Sequence, residues 1–212
     1  FTKIRWPRSL RSSTTISVGA TRVRNGKIRV FEGDEIGPDA LMASACLPTM
    51  VQAVEMFDKT TNRMEAFWDG GFTGNPALFP LFHHDLPDDI VIININPLER
   101  DTIPTTPQDI QNRINEISFN SSLLRELRAI EFVQRLIEKG TVTSDSMSRV
   151  RIHMIADDAL MAKLSAVTKS VPNPAVISTL KDAGIAAAET FLRGDIDNIG
   201  KRSSVNLPEM FG

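Results

Sequence analysis

Asp88-Asp89-Ile90-Val91-Ile92-Ile93-Asn94-Ile95-Asn96-Pro97 is the clearest strand in the chain. A β-branched run, Ile90 to Ile93, is flanked by acids on one side and ended by Asn96-Pro97 on the other. Successive side chains of a strand point to opposite faces, so this run is apolar on both. That places it in the middle of a covered, parallel sheet. The apolar run falls far short of the roughly 20 residues that a membrane-spanning helix needs.

Downstream, a loop rich in Pro and Thr leads to Thr106-Pro107, an N-cap and first-turn pair for a helical pattern that runs to Lys139, with Gly140 as its stop. Ile110, Ile114, Ile117, Leu124, Leu127 and Leu136 supply its expected buried stripe. Unbroken, such a helix would run to about 50 Å at 1.5 Å per residue, so Asn120-Ser121-Ser122 is read as a break. Arg149 to Ile155 alternates as a strand, and Asn173-Pro174 caps a last helix ending near Arg193 with Gly194 as its C′ residue. Upstream, Thr14–Val23 and Lys27–Phe31 read as a hairpin about Asn25-Gly26, a pair suited to a type I′ turn. Gly37-Pro38-Asp39 starts a short helix through Ala45 that Pro48 stops, and Met64–Trp68 reads as a strand ending at Asp69-Gly70-Gly71. Strands alternating with helices, with no repeat, low-complexity tract or clean linker, give an α/β fold with a helical C-terminal portion.

The 212 residues, 23.4 kDa, are 42% apolar and 24% charged with a net charge of −2, the composition of a globular domain and not of a disordered tail or a fibre. One cysteine, Cys46, permits no intrachain disulfide, which suits a cytoplasmic protein. Charge is uneven: residues 1 to 31 hold Lys3, Arg5, Arg8, Arg11, Arg22, Arg24, Lys27 and Arg29 and no acid. The basic, partly apolar arm at the start is read either as a contact for anionic lipid or another chain, peripheral at a membrane, or as a solvated segment. Pro7 denies it a regular amphipathic helix. Nucleic acid is not an expected partner, because the total charge is near zero, Tyr is absent and no recognised binding motif occurs.

The chain has no G-x-S-x-G elbow, phosphate-binding P-loop, dinucleotide fingerprint, H-E-x-x-H or paired C-x-x-C. His83-His84-Asp85 is the only local cluster of potential metal ligands, and adjacent side chains seldom converge on one ion. Cys46 and His153 read as a buried thiol and a strand histidine. Ser44, between Ala43 and Ala45, lacks the flanking glycines of an exposed nucleophile and is read as a packing or hydrogen-bonding residue. Asp69-Gly70-Gly71 is the most suggestive feature. An acid at a strand end, followed by two residues without side chains, can project its carboxylate into a cleft while the backbone turns beneath it. Such a group can serve as the base that activates a hydroxyl; taken alone, the three residues read first as a plain turn.

Ala43-Ser44-Ala45-Cys46-Leu47-Pro48, followed some twenty residues on by Phe67-Trp68-Asp69-Gly70-Gly71 and Gly74-Asn75-Pro76, resembles the second half of a bacterial patatin-like phospholipase. The likeness runs from about Thr14 to the end. Ser17–Phe31 resembles the family's central strand and hairpin, Ile90–Pro97 its later core strand, and Asn112–Ile137 with Arg149–Ile155 the helical extension of one bacterial branch. The resemblance implies an incomplete patatin-like sheet covered by helices on both faces, with a helical C-terminal extension. By residues, 14–105 would belong to the α/β domain, 106–212 to its remaining core strand and helical extension, and 1–13 to a basic arm unlike the family. It further implies that Asp69 is the aspartate of a Ser-Asp dyad, with Gly70 and Gly71 its motif glycines and Ser44 and Pro48 on the helix beside it. The implied substrate is a lipid or other acyl ester, and no metal or organic cofactor is implied.

The family's glycine-rich oxyanion segment and its nucleophile elbow have no counterpart here. With Phe1 as the first residue, the expectation is that an N-terminal portion of the same protein carries the serine and that this piece does not fold well alone, because Ile90–Ile95 needs strand partners and covers. Two alternatives stand beside the hydrolase: a non-catalytic lipid- or protein-binding module with a vestigial Asp69, and a metal hydrolase centred on His83 and His84.

Overall fold

The computed structural model describes residues 15–83, 85–143, 146–164 and 173–211; the arm 1–13 and His84 lie outside the described residues. Two compact units divide the chain, 1–74 and 75–212. In the first, β1 (Ser17–Arg22), β2 (Ile28–Glu32), β3 (Val54–Asp58) and β4 (Arg63–Asp69) form an antiparallel sheet in the order β2-β1-β4-β3, with α1 (Pro38–Ser44) following β2. Of these, β3 has no counterpart in the sequence reading.

The hairpin forms with a different turn from the one Asn-Gly suggests. Thr21 pairs with Ile28, and Arg22 N–H donates to the Lys27 carbonyl at 2.9 Å, which leaves a four-residue loop, 23–26. Only Gly26 takes a positive φ, +64°, while the Asn25 side chain accepts the Lys27 amide at 3.0 Å. Asn25 is therefore a side-chain acceptor here and not a left-handed residue.

Small residues decide how α1 sits. Ala40 and Ala43 on the helix meet Ala20, Phe31 and Phe67 of the sheet in one buried cluster, with Val18, Ile36, Val54 and Met56 packed around it. Phe31 and Phe67 meet edge to face, their centroids 5.6 Å apart. Asp69 lies directly across from Ala20, so by register its side chain belongs to the sheet face that α1 covers.

Among the described residues, Arg22, Arg24 and Arg29 of the basic N-terminal stretch are paired within this unit. Asp58, buried at the end of β3, accepts from Arg22 Nε at 2.8 Å, from Arg29 Nε at 3.1 Å, and from the Thr60 amide and hydroxyl at 2.9 and 2.8 Å. Arg29 also reaches Glu35 at 2.7 Å and lies over the Phe31 ring, and buried Glu65 accepts from Arg63 and Arg24. Burial raises the Asp58 carboxyl, but the Thr60 and arginine donors outweigh it and hold the group at about 2.

In the second unit, β5 (Asp89–Asn94) and β6 (Arg151–Ala156) run parallel, Asp89 opposite Arg151 and Asn94 opposite Ala156. Between them come α2 (Pro107–Glu138) and, after β6, α3 (Asp158–Met161) and α4 (Pro174–Gly194). Ile90, Ile92 and Ile152 pack with Leu123, Leu127 and Ile130 of α2 and with Leu78, Val150 and Leu207. The strand is parallel as expected, but among the described residues it pairs with β6 alone and is not in the middle of a sheet, and one of its two apolar faces is open: Val91, Ile93 and Ile95 are 44%, 71% and 59% exposed.

Helix α2 corrects two expectations. It runs unbroken for 32 residues through 120–122, where Asn120 Nδ2 donates to the Pro97 carbonyl at 2.9 Å, Ser121 to the Ser118 carbonyl at 2.8 Å, and the Ser122 hydroxyl accepts the Asn75 amide at 3.1 Å, while among the described residues Asn120 Oδ1 is buried without a partner. Its stripe is also turned in the first half, although Leu127 is buried as expected. Ile110, Ile114 and Ile117 are 42%, 51% and 53% exposed, while Asn112, Glu116 and Asn120 are buried. The neighbour on that side is a polar loop: Arg100 grips Glu116 through Nε and Nη2 at 2.8 and 2.6 Å, and Arg113 reaches the Leu98 carbonyl at 3.3 Å. Gly140 is left-handed at the end, as expected. Gly194 is not: it is the last residue of α4, and Asp195 is the cap.

The observed architecture is mixed α/β, an antiparallel sheet in one unit and a parallel pair in the other. Among the described residues no helix is long and apolar enough to cross a membrane.

Two stability measurements check these packings by chemical denaturation. Asp58→Ala, which strands two arginines, should cost roughly 3–5 kcal/mol at neutral pH. In the parent, the stability Asp58 confers is present above the ordinary carboxylate value of 3.8 and is lost as pH falls from there through about 2. Gly184→Ala should go the other way, gaining roughly 0.5–1 kcal/mol, because Gly184 is exposed within α4 and a Cβ there meets nothing within 4 Å.

Candidate active site

Asp69 is the last residue of β4, and each of its backbone groups is held by something other than the strand ladder. Its N–H donates to the Cys46 carbonyl, just past α1, at 2.8 Å. Its carbonyl accepts from the Thr21 hydroxyl of β1 at 2.8 Å. Its own carboxylate Oδ1 accepts the Gly71 amide at 2.7 Å, capping the single 3-10 turn Gly70–Phe72. Among the described residues Oδ2 has no hydrogen-bond partner and no cation pairs with the group. The side chain is half-buried, and this burial raises its carboxyl above the ordinary value against the opposing pull of the Gly71 amide.

The turn exists because Gly70 has no side chain. A Cβ built there would lie 2.6 Å from the Gly19 carbonyl carbon and closer still to its oxygen, with the Ala20 nitrogen at 3.2 Å. Those are backbone atoms of β1, which cannot swing aside as a flexible side chain does. Gly71 is buried beside it. At this strand-end acid the chain turns sharply against β1, and among the described residues one carboxylate oxygen has no hydrogen-bond partner.

Ser44 and Pro48 lie in the same unit. Ser44 ends α1, half-buried, and its hydroxyl donates to the Leu41 carbonyl at 3.3 Å, which matches a hydrogen-bonding role. Pro48 sits in the turn after α1, where the Leu47 carbonyl accepts from Met50 and Val51. Cys46 is buried, and its thiol reaches the Gln52 carbonyl at 3.0 Å. His153 belongs to the other unit and has its own partner there. His83 is exposed and pairs with Asp85 at 3.3 Å; among the described residues no group of three His, Cys, Asp or Glu side chains could hold a metal.

Sequence reasoning missed two groups. Thr21 is one, since nothing in an alternating strand marks a threonine as the partner of a carbonyl 48 residues away. The other is the constellation around Asp89, whose Oδ1 lies 3.0 Å from Arg151 Nε, 3.0 Å from His153 Nε2 and 2.8 Å from the Gly200 amide, while Oδ2 accepts from Arg151 Nη2 at 2.8 Å. These donors, Arg151 foremost and against burial, hold the Asp89 carboxyl far below the ordinary range. His153 is fully buried against Phe191. This cluster ties β5, β6 and the segment after α4 together. The sequence reading opens these strands at Asp88 and Arg149, so the pairing of Asp89 with Arg151 emerges only from the observed register.

No protein-family model, no curated protein and no solved structure matches this chain.

Replacing Gly70 by Ala tests the turn directly. The substitution should cost roughly 1–3 kcal/mol, the range for forcing atoms into a closed site, measured as a lowered denaturation midpoint.

Proposed function

We propose that this chain supplies the aspartate of a Ser–Asp acyl-ester hydrolase of the patatin-like kind, with Asp69 as the base and a serine contributed by an N-terminal portion of the same protein. The observation that carries the reading is the state of Asp69: half-buried, unpaired with any described cation, one oxygen held by the Gly71 amide and the other free. A structural carboxylate in this unit looks different, as Asp58 with its two arginines does. A base that must accept a proton and release it again is better served by a raised carboxyl than by one clamped in its charged form.

In the proposed reaction the serine hydroxyl attacks the ester carbonyl while Asp69 Oδ2 accepts its proton. The tetrahedral oxyanion is held by backbone amides of the portion carrying the serine. Collapse expels the alcohol, which takes up the proton, and water then releases the acid from the acyl-enzyme with Asp69 again as base. Asp69 Oδ1 stays on the Gly71 amide throughout, so the carboxylate does not rotate between steps. The proposed substrate class is a lipid acyl ester, reached by peripheral contact with a membrane. No cofactor takes part in this scheme.

The test uses the full-length protein. A fluorophosphonate probe should label it covalently, and Asp69→Asn should reduce ester turnover at least about a hundredfold while the protein stays folded. Retained turnover in Asp69→Asn would remove Asp69 from the chemistry. In the parent, the acid limb of kcat/KM should lie above the ordinary carboxylate value, because the base form exists only above the raised value and activity falls as pH drops through it.

A further inference from the structure

We infer that Thr21, backed by Thr73, is a positioning residue for the Asp69 carboxylate. Thr21 lies on β1 one residue past Ala20, so its side chain leaves the sheet on the face opposite α1, and it is buried there. A hydroxyl in that place needs a partner, and it has two: the Asp69 carbonyl at 2.8 Å and the Thr73 hydroxyl at 2.8 Å.

Proton counting sets the direction of the chain. Each hydroxyl carries one hydrogen. Thr21 spends its own on the Asp69 carbonyl, so the Thr73 hydroxyl must donate to Thr21. The Gly70 carbonyl, 3.4 Å from Thr73 Oγ1, is the longer of that donor's two options. The order is Thr73 to Thr21 to Asp69, and each bond polarises the next. Thr73 is itself fixed, because its amide and that of Gly74 both donate to the Gly70 carbonyl, at 3.0 and 2.9 Å.

The consequence follows from what the Asp69 carbonyl controls. Its orientation is that of the Asp69–Gly70 peptide plane, since the peptide unit is rigid. That plane sets how Gly70 approaches β1; the next plane, whose Gly71 amide holds Asp69 Oδ1, is joined to it through the Gly70 dihedrals, which the contact with the Gly19 carbonyl restrains. The hydroxyl pair therefore reaches the carboxylate through the turn, from behind the sheet and without touching it. Without Thr21 the carbonyl loses its donor, the peptide plane is free to rock, and the carboxylate rocks with it. Misplacement of a reacting group by about 1 Å can cost on the order of a hundredfold in rate.

The catalytic meaning of this assignment rests on the acyl-hydrolase reading, so the experiment has two readouts. In the full-length protein, Thr21→Val and Thr21→Ser are compared with Asp69→Asn and the parent. One readout is kcat and KM for ester hydrolysis; the other is hydrogen exchange at the Gly71 amide relative to amides in the middle of β1 and β4. Thr21→Val should lower kcat by about tenfold to a hundredfold with KM within about twofold. It should also speed Gly71 exchange at least about tenfold beyond any change at the strand amides, and Thr21→Ser should restore both. A Thr21→Val protein with parental kcat and parental Gly71 exchange overturns the assignment, as does a loss spread evenly over turnover, KM and strand exchange that Ser does not rescue. If parent and Asp69→Asn hydrolyse esters equally, or neither does, the hydrolase reading falls, and Gly71 exchange alone then decides whether Thr21 positions the carboxylate.

Discussion

The close approach of two backbones at Gly70 and Gly19 is the constraint on which the candidate site depends. Strand β4 runs beside β1 as far as Asp69, and the chain must then leave the sheet without separating from it. It does so by laying Gly70 on the Gly19 carbonyl, a contact that only a residue without a Cβ can make. The ladder ends there, so the Asp69 amide and carbonyl need other partners, and α1's exit and Thr21 provide them. Asp69 is thereby tied to three elements at once. Its carboxylate inherits that rigidity, which surface acids at ordinary turns lack.

Charge in the same unit works toward a different end. The core under α1 is small: three alanines, Phe31 and Phe67. Arg22 and Arg29, on β1 and β2, converge on Asp58 at the end of β3, so strands that are not neighbours in the sheet are joined through one carboxylate. A buried ion group of this type contributes less to stability than an apolar replacement of the same shape often would, but removing one member is costly because the others are left uncompensated. It favours a single arrangement of the strand ends. Within the described residues, Arg22, Arg24 and Arg29 of the basic N-terminal stretch face carboxylates of their own unit.

The elements legible in the sequence are those fixed by local chemistry. Thr106 and Asn173 accept amides of the helices they precede, Pro38 opens α1, and Gly26 and Gly140 are left-handed where a stop or turn is needed. Asp69-Gly70-Gly71 belongs to this class, because an acid before two glycines signals a turn whatever surrounds it. What was not legible depends on partners distant in the chain. Strand β3 carries Glu55 and Asp58 among apolar residues, and its identity as a strand comes from pairing with β4. The apolar spacing of Ile110, Ile114 and Ile117 is sound helical periodicity, yet the buried flank of α2 is set by the loop holding Arg100, which needs Glu116 and Asn120. Thr21 is invisible for the same reason.

The β5–β6 pair shows most directly what an apolar sequence demands and what this chain meets. Parallel strands are usually covered on both faces, and β5 is apolar on both. On one side α2 supplies the cover. On the other, among the described residues of this unit, cover is confined to the beginning of the strands, where Asp89 binds Arg151, His153 and the Gly200 amide and α4 sets Phe191 against His153. Beyond that polar cluster the side chains of Val91 and Ile93 stand open, so the layer over β6 does not extend along β5. Leaving such a run bare forgoes roughly 25 cal/mol for each Å² of apolar surface that could be buried.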